Sequence, residues 1–145
     1  MKNLTYLGHA TFLLTAHSGG RLLIDPWITG NLSSPVELSE LGRIDLVLVS
    51  HGAFDHLGDT LAILRQTSAE AICCPAVRRY LLKQGVPPDR VTPAIYGFDI
   101  ERLGLHIKVV EAKHASIFEL GDDLFTGASL GFIVSFPSGE RVYFM

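Results

Sequence analysis

The chain has 145 residues, 48% of them hydrophobic and 19% charged; 12 basic and 15 acidic side chains give a formal net charge of −3. The high apolar fraction and small net charge exclude a disordered chain, and no apolar stretch approaches the ~18 residues of a membrane-spanning helix. Mild acidity argues against a nucleic-acid partner, which calls for a basic face.

In chain order, Leu4–Leu7 and Thr11–Leu14 read as short strands separated by Gly8-His9, with Arg21–Ile24 returning after the Ser18-Gly19-Gly20 turn. Asp25-Pro26 ends this antiparallel meander, because proline cannot donate to a sheet ladder. Thr29 to Glu40 is a polar loop, and Ile44–Val49 is a near-continuous apolar run typical of a fully buried strand. A loop over Ser50–Gly58 follows. Leu57, Leu61 and Leu64 then predict a helix to about Gln66, with Asp59 placed to cap it.

Ala71–Cys74 reads as a strand, and Pro75 opens a helix that Gly85 closes. Arg78, Arg79 and Lys83 mark the solvated face of that helix. After Pro87-Pro88 the pattern returns to strands at Phe98–Leu103, Leu105–Val110, Leu130–Phe136 and Arg141–Met145. The two cysteines, Cys73 and Cys74, are adjacent, so they make a poor metal clip and an improbable disulfide. Cysteine usage and the lack of a signal-peptide pattern favour a reducing cytoplasm.

The chemistry concentrates in Ser50-His51-Gly52-Ala53-Phe54-Asp55-His56-Leu57-Gly58-Asp59. Two histidines and an aspartate lie directly after a buried strand, where α/β proteins gather their sites. Mixed nitrogen and oxygen donors suit a divalent metal. No phosphate-binding glycine loop and no serine-nucleophile elbow is present.

This segment resembles the His-x-His-x-Asp-His signature of the metallo-β-lactamase fold, with Ala53 where a second histidine is expected. Tyr6–Leu13, Leu23–Asn31 and His56–Thr60 resemble the UPF0173 metal-dependent hydrolases, which are close to the L-ascorbate-6-phosphate lactonases. The resemblance implies an α+β, αββα sandwich with mixed β-sheets and flanking helices. It makes His51 a ligand of one metal site, and Asp55 and His56 ligands of another. It also asks for a later histidine, which His114 supplies. The implied cofactor is one or two divalent ions, zinc or manganese, and Asp55 doubles as the catalytic acid or base. In the resembling families the Gly-His pair lies near the metal, so His9 either supports the ligands or faces substrate, against a locally satisfied loop histidine. Asp25 either holds the metal loop by hydrogen bonds or simply forms a turn. His17 and His106 read as turn and strand residues.

The family pattern continues, beyond a strand like Arg141–Met145, into a Gly-Asp-Thr that bridges two metals and a final histidine. Residues 1–145 are therefore expected to be a single, incomplete metallo-β-lactamase-like domain. The expected function is hydrolysis of a small-molecule ester, lactone or phosphoester by metal-activated water. The alternative, motivated by Ala53 and by the missing C-terminal ligands, is a catalytically inactive binding or structural module that keeps the fold. Exposed sheet surface predicts association with a second copy or with the missing part.

Overall fold

The computed structural model describes all residues 1–145. Its first sheet has six strands in chain order: β1 (Asn3–Tyr6), β2 (Phe12–Thr15), β3 (Arg21–Ile24), β4 (Leu46–Val49), β5 (Glu70–Cys73) and β6 (Val91–Pro93). The opening meander is antiparallel, and β3 through β6 run parallel. Parallel strands need crossovers. Here α1 (Phe54–Leu57) and α2 (Thr60–Gln66) lead from β4 to β5, and α3 (Pro75–Lys83) leads from β5 to β6.

Between β6 and the second sheet the chain turns antiparallel. β7 (Asp99–Arg102) and β8 (Leu105–Glu111) form a hairpin, and β9 (Ile117–Leu120) and β10 (Asp123–Thr126) form a separate one. β11 (Leu130–Ser135) and β12 (Arg141–Phe144) complete a four-stranded sheet of order β12-β11-β8-β7.

The two larger sheets share one core. All four residues of β4 are buried, as the continuous apolar run predicted, and Leu22, Leu23 and Ile24 of β3 lie beside them. Ile107 and Val109 of β8 and Phe132 and Val134 of β11 belong to the same buried cluster. Alternation along β8 and β11 sends every second side chain into this core, the signature of a sheet with one covered face. The architecture is an α+β arrangement of mixed sheets with few helices, as the resemblance implied.

Several local expectations change. The Ser50–Gly58 loop contains the one-turn α1, so Leu57 precedes the second helix instead of starting it. Asp59 stands at the α2 N-cap position, yet its carboxylate makes no capping bond. It accepts the backbone N–H groups of Ile28 and Thr29, each at 2.8 Å. The basic residues of α3 are not merely solvated. Arg78 Nε donates to the Val91 carbonyl at 3.0 Å, and Lys83 pairs with Asp123 and sits over the Phe125 ring.

Candidate metal centre

The carboxyl ends of β3, β4 and β8 meet at one mouth between the sheets, and each delivers one part of the site. β3 ends in Asp25, β4 runs into Ser50-His51, and the chain after β8 carries His114. The β1–β2 turn adds His9 from the side. The Leu130 N–H donates to the Ser50 carbonyl at 2.8 Å, tying the two sheets together at this point. Gly52 is required next to His51, because a Cβ there would lie 1.9 Å from Cδ1 of Phe118.

Asp25 organises the donors. It is fully buried, and its two oxygens receive the Ser50 N–H at 2.7 Å, the Ser50 hydroxyl at 2.5 Å and His56 Nδ1 at 2.7 Å. Burial pushes its carboxyl pKa up, against the lowering effect of the His56 and Ser50 bonds. Asp25 thus links Ser50 and His56, on either side of the loop between them, by hydrogen bonds.

The hydrogen-bond pattern settles which imidazole nitrogens are free. Ser50 has one hydroxyl proton and gives it to Asp25, so the 2.9 Å contact between its oxygen and His51 Nδ1 is an N–H donated by the histidine. His56 likewise spends its Nδ1–H on Asp25. Nε2 is then the nitrogen of each ring left for another partner, the arrangement in which hydrogen-bonded metal histidines are held. His51 Nε2 is buried without any partner. Its imidazole is held neutral, with a pKa pushed down to about 4, first by burial and then by the neighbouring His56 and His114.

The structure brings together every residue picked out by sequence, but in different groups. His51, His56 and His114 offer ligand atoms within 4.8 Å of one another, and His9, Asp55 and His56 do the same. The His51 and His56 rings are 4.1 Å apart and those of His51 and His114 are 4.7 Å apart. His56 thus belongs to both groups, where the resemblance had placed it with Asp55 only. His114 is set by its backbone: the Ser129 hydroxyl donates to its carbonyl at 2.8 Å. His9 Nε2 is 3.2 Å from Asp55 Oδ2, and its ring meets Trp27 edge-on. Ala53 and Asp55 both line a neighbouring cavity with Phe54 and Phe118, and Asp55 meets the histidines through its contact with His9.

A cavity of about 820 Å³ opens over the histidines, with Glu111, Lys113 and Tyr143 on its walls. Backbone strain gathers here too. Of three non-glycine residues with positive φ, two are His9 at 51° and Asp25 at 44°. Such residues cost about 1–3 kcal/mol each and persist only where surrounding structure holds them.

Sequence reasoning gave Ser50 no role, though a hydroxyl directly after a buried apolar strand was the available signal. His17 is absent from the site, and His106 pairs with Asp99 on an exposed strand at 3.0 Å.

A model of the Beta-lactamase superfamily domain matches residues 20–145. The chain belongs to that superfamily. It is 37% identical to a UPF0173 metal-dependent hydrolase of Rubrobacter xylanophilus, over 97% of this chain and 58% of that protein. It is 31% identical to another from Koribacter versatilis, over 97% and 60% respectively. The chain thus spans somewhat over half the length of the relatives it matches. Among solved structures, a metallo hydrolase from the archaeon Ignicoccus hospitalis superposes with a TM-score of 0.79 at 30% identity, over 97% of this chain and 58% of that one. An isothiocyanate hydrolase from Delia radicum gut bacteria shares the fold, with a TM-score of 0.69 at 20% identity, over 97% and 60%.

Proposed function

We propose that this superfamily member binds a divalent cation, zinc or manganese, and serves hydrolysis of a small-molecule ester, lactone or phosphoester. The observation that carries this reading is the buried, unpartnered Nε2 of His51, beside two more imidazoles whose ligand atoms lie within 4.8 Å of its own. An unsatisfied buried acceptor costs about 1–3 kcal/mol, and a cation in that place removes the deficit. Three imidazoles with an adjacent carboxylate form a donor set suited to zinc or manganese.

His51, His56 and His114 would hold the ion, and Asp25 with Ser50 would keep two of those rings in the right tautomer and orientation. A cation there supplies Lewis acidity and lowers the pKa of water toward about 7. Asp55, on the neighbouring cavity and 3.2 Å from His9 Nε2, is placed to take or return a proton. Lys113 and Tyr143 on the cavity wall suit a substrate with an anionic or hydrogen-bonding group.

The test is metal content by mass spectrometry of the purified chain, with hydrolysis assays on lactone, carboxylic ester and phosphoester panels. Stoichiometric metal with metal-dependent turnover of one panel supports the reading. Absence of bound metal after reconstitution overturns it. Metal without turnover on any panel would favour the fold-without-chemistry reading that Ala53 motivates.

A further inference from the structure

We infer that His9, from the β1–β2 turn, is itself a metal ligand and forms a second cation position with Asp55 and His56, adjoining the three-imidazole group. This rests on the metal-binding reading above and extends it to a residue outside the His51–His56 loop. Position 53 carries alanine, so that loop supplies one imidazole fewer than the resembling signature. His9 brings an imidazole to the same mouth from another part of the chain.

The geometry is that of ligands sharing an ion. Two donors of a tetrahedral site, each about 2.0–2.1 Å from the metal, stand about 3.3 Å apart. His9 Nε2 and Asp55 Oδ2 are 3.2 Å apart, and a His56 ligand atom lies within 4.8 Å of both. The His9 ring is also fixed for this purpose. It stands 5.3 Å from Trp27 and 5.1 Å from His56, edge-on to each, on a backbone held at φ 51°. An ordinary surface ion pair contributes about 0–1 kcal/mol and gives little reason to hold a non-glycine residue in that region.

His56 makes the two positions interdependent. Its Nδ1 is committed to Asp25, so Nε2 is its one free nitrogen. A single nitrogen lone pair serves one ion at a time. His9 with Asp55, and His51 with His114, therefore compete for a cation through His56.

The experiment uses the 145-residue chain with zinc as probe, in three measurements. In the unaltered chain, zinc titration followed by the ring nitrogen resonances of isotope-labelled histidine should shift His9 Nε2 as well as those of His51 and His114. In a His9→Gly variant, which retains freedom to adopt positive φ, calorimetric titration should show the loss of one zinc equivalent or at least tenfold weaker binding. Thermal unfolding in chelator should be the same for both proteins within a few degrees, separating ligation from folding. A His9 Nε2 resonance that stays still while His51 and His114 move overturns this inference and leaves the proposed function standing. No shift in any ring overturns both. Should His9→Gly fail to fold, the resonance measurement on the unaltered chain still decides.

Discussion

Deleting the Asp25 carboxylate leaves the Ser50 N–H, the Ser50 hydroxyl and His56 Nδ1 facing a buried void. Each stranded polar group costs about 1–3 kcal/mol. Asp25→Ala should therefore lose several kcal/mol in denaturant unfolding. The gentler Asp25→Asn should weaken zinc binding about 10–100-fold in calorimetric titration, the usual effect of losing a carboxylate behind a ligating histidine. His51 adds a pH dependence. Its folded pKa of about 4 lies below the ordinary 6.5, so the unfolded chain binds more protons between those values. The metal-free chain should then lose stability as pH falls from about 6.5 toward 4, by on the order of 3 kcal/mol from this group. Asp25, with its raised pKa, works in the opposite direction. The informative quantity is thus the difference between the original chain and His51→Asn, whose unfolding midpoint should depend less on acid across that window.

Local packing explains which elements were legible. β4 announced itself by an unbroken apolar run, and β8 and β11 by alternation, because burial on two faces or one dictates those patterns. The β9–β10 hairpin was not read: most of its residues are exposed, so no burial pattern disciplines its sequence. Its Gly121-Asp122 turn between paired strands was the signal available. At the site, the candidate ligand residues were visible as a cluster, but their grouping was not. That grouping depends on which nitrogen His56 gives to Asp25, a contact across 31 positions of chain. The start of α2 has a similar long-range cause. Gly58 has φ 39°, and a Cβ there would stand 2.2 Å from the Pro26 carbonyl oxygen. Gly58→Ala should destabilise the chain by roughly 2 kcal/mol or more, since backbone itself must move. Gly85→Ala, with positive φ and nothing within 4 Å, should cost only the left-handed penalty of about 1–2 kcal/mol. Parallel thermal or urea unfolding of the two variants checks the ordering.

For the molecule as a whole, a cation held as proposed by His51, His56 and His114 would link the segments after β4 and β8 and so tie both sheets, and its removal should be felt globally. With free zinc at a hundred times its dissociation constant, binding stabilises by about 2.7 kcal/mol. Chelation should accordingly lower the melting temperature by roughly 5–10 °C in a chain of this size, read by scanning calorimetry. The outer edges point to a second global property. β12 forms one edge of its sheet and leaves Tyr143 59% exposed, while Tyr6 of the edge strand β1 is 57% exposed. Unpaired edges with apolar side chains template pairing with other chains. We propose self-association through such an edge, for which sedimentation velocity should give a species larger than a monomer; a single monomeric boundary would count against it. No helix of the chain is long and apolar enough to cross a membrane.

Trp27 is the only tryptophan in the sequence, and its indole stands edge-on between His9 and Phe54, at 5.3 and 5.7 Å. All indole fluorescence of the protein therefore originates beside the histidine cluster. A neighbouring imidazole quenches that emission most strongly when protonated, so acid, cation loading and displacement of His9 should each leave a distinct optical trace. The protein carries its own reporter, and occupancy of its mouth becomes measurable by light without any added label.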